Sequence, residues 1–263
     1  MAATSTRLVD RSPTGGATDR IVGALREAIV TLELQPGSPL DKSALAARFG
    51  VSRFPVAEAL NRLKDEGLVD IRPQSGSTVS LIRLADIREN MFLRRALEAE
   101  TVALLAARND KSIVAELRRN LRYQSAAVEA DDRAGFHRLD LSFHDLLVAA
   151  AGFPRVRATV EKARLALDRV RRLLASPRRH AVTYQEHLRI VDAIEQCRVE
   201  AARVAMLAHI DAVMIELEAF SETHPQVFAD RDTTTSRLSP LAEALQPFGP
   251  TEGPDATMTK GGA

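Results

Sequence analysis

The sequence predicts a mainly α protein in two folded parts: a small N-terminal part of three helices closed by a β-hairpin, then an all-α bundle of six helices. Three observations carry this reading. Aromatic residues make up only 4% of the chain, with no Trp, while Ala, Leu and Arg abound, a mixture that favours helix over sheet. Apolar residues recur every three or four positions through most of residues 18–222, the period of a helix with one buried face. The exception is a stretch between Leu68 and Leu81, where two short β-branched runs flank a Pro- and Gly-containing turn.

The elements follow in order. Residues 1–17 are small, polar and punctuated by Gly and Pro, and read as a disordered arm. From Thr18, a plausible N-cap, a stripe of Ile21, Leu25, Ile29 and Leu32 marks the first helix, which Pro36-Gly37 stops. A short helix near Lys42–Phe49 ends at Gly50, a residue suited to a left-handed turn. Ser52 stands where a cap is needed for a third helix, with Val56, Leu60 and Leu63 as its buried stripe and Gly67 as its stop. Leu68–Ile71 and Thr78–Leu81 form the hairpin. Six helices are then expected near 84–107, 110–130, 131–150, 153–176, 181–196 and 198–222. From residue 223 Pro, Gly, Thr and Asp replace the apolar stripe, so 223–263 reads as a disordered tail. The domains are therefore 18–83 and 84–222.

Bulk properties narrow the function classes. A net charge of +1 means that any contact with nucleic acid depends on local charge. The single cysteine, Cys197, excludes an intrachain disulfide and fits a reducing cytoplasm. No apolar run reaches the ~18 residues of a membrane span, and residues 1–17 lack the apolar centre of a signal peptide.

Helix, helix, tight turn, helix, hairpin is the order of a winged helix-turn-helix. In that arrangement the helix after the turn enters the major groove of DNA with its first residues. Here those residues are Ser52, Arg53 and Phe54. Arg53 can pair bidentately with guanine, and Ser52 can cap its helix or bind phosphate. Gly76 marks the wing tip, where a missing side chain lets backbone amides approach phosphate.

The residues go further than the spacing. Pro36-Gly37, Leu40, Leu45-Ala46, Gly50-Val51-Ser52-Arg53, Pro55-Val56, Glu58-Ala59-Leu60, Leu63, Glu66-Gly67-Leu68, Gly76 and Val79 follow an ordered pattern. In this the chain resembles the GntR family of bacterial transcriptional regulators. The resemblance implies DNA binding, with Ser43 at another DNA-facing position where the family often has a basic residue. Two departures stand out: Ala57 occupies a position where the family usually has a DNA-facing arginine, and Lys42 one where it usually has Glu. Between Thr18 and Arg83 there are nine Lys/Arg against eight Asp/Glu, so this part of the chain is barely positive.

The second part carries a possible metal site. Asp140 and His144 are four residues apart and share a helical face with Phe136, Phe143 and Leu147. His187 and His209 each sit within the apolar pattern of a later helix. One carboxylate and three imidazoles suit Zn²⁺, Ni²⁺ or Mn²⁺, although a single histidine on an apolar face is more often a satisfied core residue. The helix expected over 153–176 buries Val156, Val160, Ala163, Leu167, Val170 and Leu174, and its opposite face, with Arg155, Arg157, Arg164, Arg169, Arg171 and Arg172, reads as solvated. His137 reads as outer or exposed, His180 as solvated, and Glu98 as the helix neighbour of Arg94.

Arg94-Arg95-Ala96-Leu97-Glu98, Asp140-x-x-x-His144, Glu186-His187 and Ala208-His209-Ile210 resemble the FCD-type ligand-binding domain of FadR-like GntR regulators, in its six-helix, VanR-like variant. The resemblance implies that Asp140, His144, His187 and His209 hold a divalent ion, with zinc first and nickel or manganese next. It also implies that Arg94 clamps a small carboxylate effector. An ion with one carboxylate and neutral imidazoles keeps a net charge of about +1 and open positions that attract an anion. The expectation is a cytoplasmic homodimer, most simply a repressor, on a two-fold symmetric double-stranded operator and with no membrane partner. A purely structural metal is the alternative. A metalloenzyme is remote, because no HExxH or comparable motif supplies a general base.

Overall fold

The computed structural model describes residues 16–230, and the expectations for 1–15 and 231–263 lie outside them. The N-terminal part contains α1 (Ala17–Val30), α2 (Lys42–Phe49), α3 (Arg53–Asp65), β1 (Val69–Arg72) and β2 (Gly76–Val79). The strands pair antiparallel, with Val69 opposite Val79 and Arg72 opposite Gly76. The α1–α2 loop adds a third short edge: the Gly37 amide donates to the Val79 carbonyl at 2.9 Å, and the Leu40 amide to that of Ser77 at 2.8 Å. Ile21, Leu25, Ile29, Val56, Leu60, Leu63, Val69 and Val79 close over one core, so helix period and strand period meet on the same apolar centre.

Local chemistry fixes most boundaries. Asp41 caps α2 by accepting the Ala44 amide at 2.6 Å, and Gly50 ends it with φ +65°. One boundary departs from expectation. Helix α1 begins at Ala17, so Thr18 is not its cap and instead donates its hydroxyl to Glu58 of α3 at 3.0 Å. Ser52 holds the N-cap position of α3 with extended backbone, yet its hydroxyl makes no bond to the helix.

Behind the hairpin come α4 (Leu84–Arg108), α5 (Lys111–Glu129), α6 (Arg133–Ala151), α7 (Pro154–Ala166), α8 (Asp168–Leu174), α9 (Pro177–Glu195) and α10 (Val199–Thr223). The single helix expected over 153–176 is thus two, broken at Leu167. No Pro or Gly stands there, and Leu167 keeps right-handed helical backbone. The other joints match the sequence signals. Asn109, Asp131 and Cys197 take positive φ, and Asp110, Asp132 and Ser176 cap the helices that follow. Helix α4 runs through the centre of the bundle, against α10, α7, α6 and α9.

Residues 223–230, expected to belong to the disordered tail, are ordered against Ile82 and the start of α4. Pro225–Val227 form a 3-10 turn, the Phe228 side chain is buried, and Ile82 donates its amide to the Val227 carbonyl and accepts the Ala229 amide. Asp230 then accepts the Leu84 and Ala85 amides at 2.8 and 2.9 Å, capping α4 from 145 residues away in sequence. Composition missed this because one aromatic and one carboxylate suffice to anchor a short polar segment. Asp230→Ala is expected to cost about 1 kcal/mol. That lowers the melting temperature by ~2–4 °C in a scanning calorimeter.

Candidate functional site

Asp140, His144, His187 and His209 come together from α6, α9 and α10. One donor atom from each lies within 4.8 Å of all the others, and all four residues are buried. Asp140 and His144 project from one face of α6, as their spacing requires. Asp140 Oδ1 lies 3.7 Å from His144 Nε2 and 3.6 Å from His187 Nε2, and His144 Nε2 is 3.3 Å from His209 Nε2. Donors held by one ion at ~2.1 Å are themselves roughly 3–3.5 Å apart, so these separations suit a shared cation.

The hydrogen-bond network determines which ring nitrogens face inward. Asn120 donates to the Leu139 carbonyl at 3.2 Å, so its side-chain oxygen accepts from Gln124 at 2.6 Å. Gln124 then turns its own oxygen to His187 Nδ1 at 2.9 Å. The backbone carbonyl at the end of this relay makes Nδ1 of His187 the donor and leaves Nε2 as a lone pair. His209 Nδ1 meets Glu186 at 2.8 Å, and His144 Nδ1 meets Glu98. With each Nδ1 engaged, all three Nε2 atoms turn toward the cluster. His187 Nε2 is buried with no hydrogen-bond partner. Burial, with His209 and His144 adding to it, holds the His187 imidazole well below its ordinary pKa; burial and His144 do the same for His209. Converging imidazoles beside a carboxylate are a donor set that fits a divalent metal.

The electrostatic surroundings favour the Asp140 anion. Burial opposes its charge, but Arg171, His144 and Arg164 hold its carboxyl well below the usual range. Arg171 donates to Asp140 Oδ2 at 2.5 Å, and Arg164 donates to the Leu141 carbonyl at 2.9 Å. Burial, with Arg171 nearby, lowers the Arg164 pKa to about 9. These arginines correct the reading of a solvated face: Arg164 is buried, Arg171 is nearly so, and Arg169 turns inward to donate to the Ser80 carbonyl at 2.7 Å. Only the outer ones, such as Arg155 and Arg157, meet solvent.

Other expectations are sharpened. Arg94 is fully buried, its Nε 2.6 Å from Glu98 Oε1 and its Nη1 without a hydrogen-bond partner. Glu98 is more than a helix neighbour, because it bridges Arg94 to His144. Against the cost of burial, Arg94 and His144 keep its carboxyl well below the usual range. His180 is half-buried, stacked on Phe136 at 4.6 Å between ring centroids, and His137 is largely buried beside Asp168. Glu98, Asn120 and Gln124 were missed as site residues. Their signal was position: each falls on the buried stripe of its helix, at 87, 91, 94, 98, 102, 105 in α4 and 113, 117, 120, 124, 127 in α5.

A cavity of about 490 Å³ adjoins the cluster, with Asp140 and His209 in its wall beside Phe136, Arg171, Arg172 and Arg179. Arg94 is not among its lining residues.

At the other end of the molecule, Arg53 and Phe54 stand exposed on the first turn of α3, Phe54 by 78%, and Ser43 is exposed on the first turn of α2. Ser52, freed from capping, is exposed beside them. Gly76 has φ +92° at the hairpin turn and open space where a Cβ would be, so backbone conformation rather than crowding calls for glycine. Arg26 and Arg62 are paired with Glu66 and Asp19, which reduces the free positive charge of this part further.

Comparison with known proteins bears on both ends. The model of bacterial regulatory proteins of the gntR family matches residues 17–79, and that of the FCD domain matches residues 89–212. An HTH-type transcriptional regulator in an unstable DNA locus of Streptomyces ambofaciens is 40% identical over 219 residues, covering 82% of this chain and 92% of its own. The HTH-type transcriptional repressor RspR of Escherichia coli is 32% identical over 222 residues, covering 83% and 96%. A crystal structure of a GntR transcriptional regulator from Rhodococcus shares 29% identity at a TM-score of 0.59, covering 77% of this chain and 98% of its own.

Proposed function

Since the chain belongs to the GntR family of bacterial DNA-binding transcriptional regulators, with an FCD domain behind its winged helix, we propose that it is a homodimeric repressor whose hold on its operator is set by a small organic acid bound at a divalent metal. The domains in this reading are the winged helix over 18–83 and the sensing bundle over 84–222. The observation that carries it is the convergence of three imidazole nitrogens and one carboxylate beside a cavity walled by arginine. Asp140, His144, His187 and His209 hold the ion, zinc by preference for this nitrogen-rich set. Bound there, the metal supplies a Lewis-acidic point of net charge about +1 for a carboxylate. Arg94, expected to clamp the acid, is ion-paired with Glu98 and lies outside the cavity wall, so its part in this reading is to hold Glu98 against His144. The name of the Escherichia coli relative favours repression over activation. Its test is metal analysis of the purified protein followed by calorimetric titration with acids before and after chelation. An acid that binds equally well without metal would overturn the sensing role.

On DNA, a dimer presents two α3 helices about 34 Å apart, one helical turn of the duplex. Arg53 reads guanine, Ser52 and Ser43 take phosphates, and the Gly76 turn meets the backbone beside the groove. Phe54 reads a thymine methyl, with Ala57 one turn on leaving room for it. Arg53→Ala is expected to lose about 1–3 kcal/mol of discrimination at one base pair. Replacing the contacted thymine by uracil removes one methyl, worth about 0.8 kcal/mol or fourfold in affinity. That loss is expected in the parent protein and absent from Phe54→Ala, as measured by fluorescence anisotropy on paired operators. Equal sensitivity of both proteins to uracil would remove Phe54 from base reading.

A further inference from the structure

The cavity beside the metal ligands is not enclosed by the helical bundle alone. Thr31, Leu32 and Gln35, from the turn that ends α1 of the winged helix, complete its wall. Leu32 takes φ +63°, a left-handed conformation that costs a non-glycine residue of order 1 kcal/mol, and Gln35 holds it by donating to its carbonyl at 2.6 Å. The turn that faces the cavity is thus a strained one, braced by a side chain in the same wall.

The charges of the wall are unevenly used. It contains four arginines and a single carboxylate, Asp140. Arg171 is engaged by Asp140, and Arg179 by Glu186 and Glu216. Arg172 keeps a buried Nε with no hydrogen-bond partner, and Arg133 has only a surface contact to Asp131 at 3.4 Å. Among the described residues, two of the wall's cations therefore remain for a second anionic group. The volume, about 490 Å³, falls within the ~300–1,000 Å³ of small-molecule sites and exceeds what a single carboxylate would fill.

We propose that the cavity is a two-domain site for a small polycarboxylate: one carboxylate at the metal, a second on Arg172 and Arg133, and the α1 turn of the DNA-binding domain closing over it. This rests on the acid-sensing reading above and adds the second subsite and the route of coupling. That route is α8, which carries three consecutive functions in four residues. Arg169 grips the Ser80 carbonyl, Arg171 grips Asp140, and Arg172 lines the cavity. A ligand that draws on Arg172 pulls on the same short helix that holds the winged helix in place. Occupancy and operator affinity are then reciprocally linked.

The test uses full-length, zinc-loaded protein titrated calorimetrically with acetate and with citrate. Citrate is expected to bind about tenfold or more tightly than acetate, the gain of one charge-assisted contact. R172Q, and R133Q at an exposed position that folding tolerates, are each expected to weaken citrate about tenfold and leave acetate unchanged. Gln35→Ala, although in the DNA-binding domain, is expected to weaken citrate as well. Arg169→Ala is expected to bind citrate normally but to lose the shift in operator affinity of about fivefold or more that citrate causes in the parent. Citrate binding no tighter than acetate, or unmoved by both arginine variants, overturns the second subsite while leaving acid sensing intact. Failure of either acid to bind the loaded protein instead overturns the sensing reading, and this proposal with it.

Discussion

Stripping the metal from the purified regulator is expected to lower its melting temperature by about 10 °C and to abolish its response to acid. The first number follows from linkage. An ion present at a thousandfold excess over its dissociation constant stabilises the fold by about 4 kcal/mol. Each kcal/mol moves the transition of a chain this size by ~2–4 °C. The physical source is visible in the site. Without a cation, the Nε2 atoms of three buried histidines crowd together, His144 and His209 3.3 Å apart, and His187 Nε2 has no hydrogen-bond partner. The second effect separates a sensor from a staple. If the ion only ties α6, α9 and α10 together, chelation lowers stability but leaves acid affinity unchanged in the protein that remains folded. If it receives the acid, both fall together. His144→Ala makes the same division by mutation, measured by calorimetric titration with acid below the melting temperature of the variant. A His144→Ala protein with full acid response would sink the metal-sensor reading.

The sequence revealed the ends of this site better than its middle. The run from Pro36 to Val79 follows an ordered pattern in which turn glycines, a cap position and an apolar stripe each have a local cause, so the winged helix could be read directly. Asp140 and His144 were legible for the same reason, because a spacing of four on an α-helix fixes two side chains on one face. His187 and His209 needed the resemblance, since only tertiary packing brings α9 and α10 to α6. The arginines of 164–172 were misread because a guanidinium on a helix is usually solvated. Here the Asp140 carboxylate and three backbone carbonyls, of Asp140, Leu141 and Ser80, accept from Arg171, Arg164 and Arg169. The break at Leu167 was invisible because no residue there disfavours helix. The segment after it is held instead by bonds from Arg169 to Ser80 and from Arg171 to Asp140, partners 89 and 31 residues distant. Glu98 and Gln124 show a signal that was present and unused: a charged or amide side chain in register with a buried stripe must have a partner inside.

Glu98 is accordingly the residue whose loss is expected to do most damage to the fold. It lies in the core of α4, ion-paired with Arg94 and bonded to Nδ1 of His144, and neither arginine nor carboxylate reaches solvent. Glu98→Leu removes one partner of a buried pair and leaves the Arg94 guanidinium, already short of a partner at Nη1, uncompensated. Breaking a pair in this way costs about 3–5 kcal/mol. Denaturant unfolding of the metal-free protein, where the ion contributes nothing, should register that loss in full. The double variant Arg94→Met/Glu98→Leu takes away both charges together, and most of the stability is expected to return, because well-packed apolar groups replace buried ion pairs at little cost. Metal affinity is expected to behave differently. His144 then lacks the acceptor that fixes its tautomer and aims Nε2 at the ion, so zinc binding should stay ~10–100-fold weaker in the double variant as in the single one. A chelator-competition titration reads this independently of stability. If the double variant recovered zinc affinity along with stability, Glu98 would be a partner of Arg94 alone. Stability restored without affinity makes it the group that links a buried charge in α4 to the orientation of a metal ligand in α6.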